Sequence, residues 1–172
     1  MDPQGRDEAD PRSVIFRTAE PEDQAALSAL DVGDTASPWL EEVAEIVGGL
    51  IAWRDDPEAA DEAREVVVAE EDGELVAVTA HVALVDDERR IWPEHRYLMV
   101  TAVQVDQQRT GVGRMLVESV LADLAGRGVR TVEWLVDPAN APSIWFSRTN
   151  FPEADESNPP EDRPYTLFVL EL

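Results

Sequence analysis

At 172 residues the chain is long enough for one domain with a sizeable core, and its 44% hydrophobic content excludes a wholly disordered chain. Its 14 basic residues, every one an arginine, stand against 37 acidic ones, and the resulting charge of −23 repels nucleic acid and anionic membranes. No cysteine is present, which removes disulfide scaffolds, thiolate metal sites and a cysteine nucleophile together.

The first residues, MDPQGRDEADPRS, are polar and acidic and lack the apolar core of a signal peptide. Residues 1–12 read as a flexible acidic tail, 13–172 as a single domain, and the protein as cytoplasmic. No apolar run approaches the roughly 18 residues that a membrane helix needs. SVIFRT (13–18) is strand-like. AEPEDQAALSALDV (19–32) follows with acids and a proline in its first turn, as a helix start requires. A second helix is expected across DTASPWLEEVAEIVGGLIAW, with Ser37 as N-cap, Pro38 at its first position and an apolar face of Leu40, Val43, Ile46, Val47 and Leu50. Gly48 and Gly49 weaken its last turns, and RDDPEAADEA is an acidic connector.

Two strands, 65–71 and 74–85, are joined by Asp72-Gly73, a two-residue hairpin signal. A polar loop, DDERRIWPEH, leads to a third run, RYLMVTAVQV. A glycine-containing turn then opens an amphipathic helix with Met115, Leu116, Val120, Leu121 and Leu124 on one face, ended by Gly126 to Gly128. TVEWLV (131–136) is a buried strand, 140–150 a short helix, 152–164 a proline-rich acidic loop and PYTLFVLEL a terminal strand. The order β–α–α–β–β–β–α–β–α–β is mixed α/β, with a hairpin half and a crossover half.

The chemistry is concentrated where a strand runs into Gln108-Arg109-Thr110-Gly111-Val112-Gly113-Arg114 and a helix begins. The first amides of a helix have no internal partner and carry the positive end of its dipole. Gly111 and Gly113 let backbone approach a ligand without a Cβ between, and Arg109 and Arg114 add charge. The result is a cradle for phosphate. A dinucleotide loop needs a third glycine where this chain has Leu116, and a P-loop needs a lysine.

Gln108, Gly111 and Gly113, preceded by the apolar Val103-x-Val105-Asp106, resemble motif A of the GNAT superfamily of N-acetyltransferases. The resemblance extends to the FRTAEPED opening, the VVVAEEDGELVAV hairpin and a downstream strand–Asn–helix–Phe segment similar to motif B. It implies a twisted, largely antiparallel sheet splayed between the fourth and fifth strands, with helices on both faces. It implies further that the amides of Arg109, Thr110, Gly111, Val112, Gly113 and Arg114, with Gln108, bind the pyrophosphate of coenzyme A. The backbone at Val103 and Val105 would pair with pantetheine, the Val103 N–H would polarise the thioester carbonyl, and Asn140 would contact the pantetheine arm. A homodimer is common among proteins of this kind.

Motif B departs from the family pattern. Asn140-Ala-Pro-Ser-Ile-Trp-Phe-Ser-Arg-Thr-Asn-Phe151 is one residue short, and its usual tyrosine falls on Ser147 counted forward or on Phe146 counted back. Neither supplies the phenol that protonates the leaving thiolate. Ser147 stands as an acid candidate beside a reading of Phe146 as core and Ser147 as surface. For a base that deprotonates the amine, His81 and Glu133 are candidates, each with a packing or surface role as its plain alternative, and His95 and Glu94 follow. Two histidines without clustered carboxylates argue against a metal. The tryptophans, Trp39 and Trp53 among them, are packing residues or line an acceptor pocket.

The expected activity is transfer of an acetyl group from acetyl-coenzyme A to a primary amine, on a small molecule or a peptide, by direct attack in a ternary complex. Two rivals stand beside it: a coenzyme-binding sensor or accessory module without turnover, and a structural domain whose glycine turn holds no ligand. The acid excess is a solvated surface or a field that draws cationic acceptors, with Glu153, Asp155, Glu156, Glu161 and Asp162 available for the latter.

Overall fold

The computed structural model describes residues 13–33, 38–85, 90–157 and 165–172. The expected tail at 1–12, the N-cap Ser37, the side chain of Trp39, and Glu161 and Asp162 lie outside these residues. Seven strands form one sheet: β1 (Val14–Thr18), β2 (Glu65–Glu71), β3 (Glu74–Val85), β4 (Ile91–Val103), β5 (Thr131–Val136), β6 (Asp155–Ser157) and β7 (Thr166–Glu171). Their order is β1-β2-β3-β4-β5-β7-β6, and every pairing is antiparallel except β4 with β5. The four helices are α1 (Gln24–Ser28), α2 (Pro38–Arg54), α3 (Val112–Gly126) and α4 (Ala141–Asn150).

Period-two alternation sorts the strands between two helical layers. Val66, Val68, Val78, Ala80 and Ala102 pack with Leu27 of α1 and Val47, Leu50 and Ile51 of α2. On the other face Ala69 and Ala77 meet Val112 and Leu116 of α3, while Val132, Trp134 and Val136 of β5 meet Val117, Val120, Leu121 and Leu124. Burying each such Val or Leu stabilises the fold by about 1.5–3 kcal/mol. The β2–β3 turn has left-handed Asp72 and Gly73 at φ 53 and 84, the geometry that the Asp-Gly pair predicts.

Three elements differ from expectation. The helix expected over 19–32 is a 3₁₀ turn at Pro21–Asp23 followed by only five α-helical residues. Its continuation is pulled away because Asp31 exchanges hydrogen bonds with the end of β4: its N–H reaches Gln104 Oε1 at 2.9 Å and its carbonyl accepts from the Val105 N–H at 2.7 Å. β4 begins at Ile91, inside the expected polar loop, and pairs Ile91 and Trp92 with Val85 and Leu84. β6 forms within the expected loop at 152–164, paired to β7, with Glu156 held by the Arg148 guanidinium at 2.6 and 2.8 Å. Gly48 and Gly49 do not break α2, which runs on to Arg54; a Cβ at Gly48 would make an ordinary contact with Ser28 Oγ at 3.6 Å.

The two ends of α3 are fixed differently. At its start a Cβ on Gly113 would lie 2.8 Å from Val103 Cγ2, so this glycine exists to let helix and strand touch. Beyond its end, Arg127 bonds Glu65 at 2.7 Å and Asp123 at 3.0 Å. His81 lies in this region, 1% exposed, with Nε2 4.0 Å from Glu65 Oε2 and Nδ1 without a hydrogen-bond partner among the described residues. Burial pushes its pKa down to about 4; Glu65 opposes the shift, Arg96 and Arg127 add to it, and Asp123 opposes it weakly.

Gly113→Ala is expected to cost about 1–3 kcal/mol, because the β-branched Val103 is stiff and cannot yield. In a Val103→Ala background the same change should cost almost nothing, read as the coupling in a double-mutant urea-unfolding cycle. His81 makes a second prediction. Its folded-state pKa lies below the unfolded value of about 6.5, so the unfolded chain binds the proton first as pH falls. Stability should fall between pH 6.5 and 4 by on the order of 3 kcal/mol. The slope over that window should be shallower in His81→Leu.

Candidate functional site

The site begins where β4 parts from β5. The two strands pair at only three positions, His95↔Thr131, Arg96↔Val132 and Tyr97↔Glu133, and β4 then continues for six residues without β5 beside it. In a pleated strand the backbone groups of successive residues point to opposite neighbours. The Gln104 N–H donates to the Val76 carbonyl at 2.8 Å, towards β3. Thr101 and Val103 therefore turn their N–H and C=O groups into the fork between β4 and β5. Thr101 escaped the sequence reading, although it shares the parity of Val103 and that parity is the signal.

Above the fork sits the start of α3. Gly111 is its N-cap at φ 96, with open space where a Cβ would be, and Arg109 is also left-handed at φ 66. The first helical hydrogen bond runs from the Met115 N–H to the Gly111 carbonyl at 3.0 Å, which leaves the Val112, Gly113 and Arg114 amides for an outside acceptor, while the Thr110 N–H donates to the Gln107 carbonyl at 3.4 Å. No acid lies in the first turn to compete for them. Thr110 directs its hydroxyl back to the Gln107 carbonyl at 2.7 Å, and Arg114 lies along the helix on Glu118 at 2.7 Å.

The expected site residues separate into those that face this space and those that support it. Gly111 contributes conformation and access, whereas Gly113 serves the contact with Val103 rather than approach of a ligand. Gln108 donates through its side chain to the Val32 carbonyl at 2.8 Å and the Val103 carbonyl at 3.2 Å, tying the cradle loop to the segment after α1. Val105 opens a 3₁₀ turn with its N–H committed to Asp31, so its backbone does not extend the open edge of β4. Asn140 is the N-cap of α4, accepting from the Ser143 N–H at 3.3 Å.

The proton-transfer candidates end in three different places. Ser147 is 3% exposed and its hydroxyl accepts from the Trp134 indole N–H at 2.9 Å, beneath the stack of Trp134 on Phe168. It is core, contrary to the surface alternative. Phe146 is the residue that approaches the cradle, with Cε2 3.9 Å from the Cβ position of Gly113. Phe146, the residue reached by counting back from Phe151, is thus the one whose ring stands beside the cradle. His81 belongs to the buried cluster near the far end of α3. Glu133 stands at the last β4–β5 pair, half-buried at the floor of the fork, and burial pushes its pKa up while His95 opposes the shift.

Trp53 packs on the first core and is covered by the Arg64 guanidinium, 4.9 Å from its ring centroid. Among the described residues no group of three or more His, Asp or Glu is placed to hold a metal ion, and no helix is long and apolar enough to cross a membrane.

Comparison with known proteins agrees with this geometry. The structure is similar to that of PaiA N-acetyltransferase from Thermoplasma acidophilum in complex with coenzyme A, at TM-score 0.70 and 12% identity over 93% of this chain and 99% of that one. It is similar to the ribosomal-protein-S18-alanine N-acetyltransferase from Escherichia coli, at TM-score 0.62 and 20% identity over 93% of each chain. A GNAT family acetyltransferase from Brucella melitensis in complex with acetyl-CoA gives TM-score 0.60 and 20% identity over 93% and 88%. No curated protein matches the sequence. The model of the acetyltransferase (GNAT) family matches residues 23–151, well over half of the chain. With that match, and with the open β4 edge lying directly beneath the cradle, the chain belongs to the acetyltransferase (GNAT) family.

Proposed function

We propose that the chain transfers an acetyl group from acetyl-coenzyme A to a primary amine by direct attack in a ternary complex. The observation that carries this reading is one juxtaposition: a helix start with unspent amides stands over a strand edge whose N–H groups are also unspent. The first suits a pyrophosphate and the second a chain of amides ending in a thioester. Coenzyme-bound relatives of the same fold support it.

In this mechanism the amides of Gly111 to Arg114 hold the pyrophosphate, the Thr110 N–H being spent on Gln107, and Gln108 shapes the loop rather than touching the ligand. Val103 and Thr101 pair with the pantetheine arm, and one of these N–H groups polarises the thioester carbonyl. Asn140 flanks the arm from α4. An ammonium acceptor gives one proton to Glu133, directly or through water, and its nitrogen lone pair then forms the N–C bond. The C–S bond breaks, and the thiolate takes the second proton lost by the nitrogen. Without a cysteine no thioester to the protein intervenes, which agrees with direct attack.

The burial of Ser147 supports one rival, a module that binds the coenzyme without turnover, since the residue is spent on Trp134 and no phenol replaces it. Thiol release separates the two readings.

Calorimetric titration with acetyl-coenzyme A tests the cradle. The parent should bind, and Gly111→Glu, which sets a carboxylate among the cradle amides, should weaken binding by about 100-fold or more, roughly 3 kcal/mol. No binding by a folded parent would end the reading. Ser147→Ala should leave kcat within about twofold and cost about 1–3 kcal/mol of stability, from the orphaned indole N–H. A loss of kcat far beyond that would return Ser147 to the chemistry.

A further inference from the structure

At the floor of the fork Glu133 carries a charge that no described residue pairs with. It makes no hydrogen bond or ion pair with any described residue, although it is half-buried. Val132 and Trp134 on either side of it face the α3 core, so its side chain projects to the opposite face of the sheet. Tyr97, its register partner, projects the same way, since Leu98 beside it joins the α3 core and Arg96 is buried near Glu65 and Arg127. His95 lies two pairs below, with Trp92 edge-on at 5.2 Å between ring centroids. Burial pushes the Tyr97 pKa up, and the nearby Glu133 and Tyr165 add to the shift.

This face is open. α1 and α2 cover β2, β3 and the Met99–Ala102 part of β4. Leu135, of the same parity as Glu133, is 39% exposed, and Trp92 and Tyr165 are 48% and 41% exposed. A carboxylate withdrawn from water is costly until a cation meets it, and burial, which His95 only partly offsets, raises the Glu133 pKa. An alkylammonium is a compact cation that carboxylates and aromatic faces both attract.

We propose that Glu133, flanked by Tyr97, His95, Trp92 and Tyr165, is the acceptor-ammonium subsite, and that the acceptor is a primary alkylamine with no carboxylate beside its amine. The inference rests on the acetyl-transfer reading of the fork. An α-amino acid would bring its own carboxylate against Glu133. The guanidinium on the paired stretch of β4, that of Arg96, faces the other side of the sheet. The net charge of −23 adds long-range repulsion of anions.

The test is thiol release from acetyl-coenzyme A by the full chain with two matched pairs, phenethylamine with phenylalanine and tyramine with tyrosine. In each pair the amine should be used at least about tenfold better in kcat/KM, a difference of about 1.4 kcal/mol. Glu133→Gln should raise KM for phenethylamine about tenfold and shrink the preference within each pair, while the calorimetric Kd for acetyl-coenzyme A and the unfolding midpoint stay unchanged. Tyr97→Phe, which keeps the ring, should hold KM within about threefold. The proposal is overturned by an unchanged KM in Glu133→Gln, by preference for the amino acids, or by no turnover of any of the four by a protein that binds acetyl-coenzyme A. Failure to bind acetyl-coenzyme A would instead remove the transfer reading beneath it.

Discussion

The contact between Gly113 and Val103 is the constraint on which the site depends. Helix and strand approach so closely that even a methyl group on the helix would collide with a valine methyl 2.8 Å away. This proximity sets the helix start directly over the end of β4. It also exposes the Val103 backbone to the fork, since β5 has already diverged after Tyr97↔Glu133. An anion site and a strand edge are both common features of protein surfaces. Only their separation gives them a joint meaning, and that separation is set here by one missing Cβ.

The loop that presents the cradle is held from the opposite side of the sheet. Asp31 and Val32 follow the short α1 and accept from, or donate to, Gln104, Val105 and Gln108. Three hydrogen bonds span more than 70 residues of sequence. They shorten α1, end β4 and orient the loop at once, so the truncation of the first helix and the shape of the cradle have one cause. α1 is secured by Arg17, which bonds Asp23 at 2.7 and 2.9 Å and Glu70 at 3.0 Å and holds the Asp23 carboxyl below its ordinary range. Arginine suits this use because its planar fork engages two acids together.

Periodic features were legible in the sequence: the hairpin at Asp72-Gly73, the apolar face of α3 and the run of β5 all leave regular patterns. So was the place of the cradle, since two glycines at the mouth of an amphipathic helix form a local signal. The division of labour between those glycines was not legible, because Gly111 answers to its own backbone and Gly113 to a side chain ten residues away. Ser147 was unreadable for the same reason. Its partner, Trp134, is 13 residues distant on another element. β6 has only three residues and exists because β7 offers an edge. His81 and Glu133 looked alike as lone titratable groups in strands. What separates them is the register: His81 pairs with Glu65 and Leu98 inside the α3 layer, whereas Glu133 meets Tyr97 where the sheet opens.

The absence of a phenol on α4 bears on how the work of catalysis is distributed. General acid assistance contributes typically 10²–10⁴-fold, and its share is least where the leaving group is already a good one, as a thiolate is. Positioning of the reactants contributes more, with effective molarities that reach about 10⁵ M and above. The positioning elements here are backbone: the amides of a helix start, the edge of β4 and the loop braced by Gln108. Such groups are lost only where a substitution fills their space or bends their backbone, as Gly111→Glu would. Phe146 sets its ring beside the cradle, 3.9 Å from the Cβ position of Gly113. In the proposed mechanism the missing hydroxyl removes the smaller of the two contributions, because the attacking nitrogen itself supplies the proton that the thiolate takes.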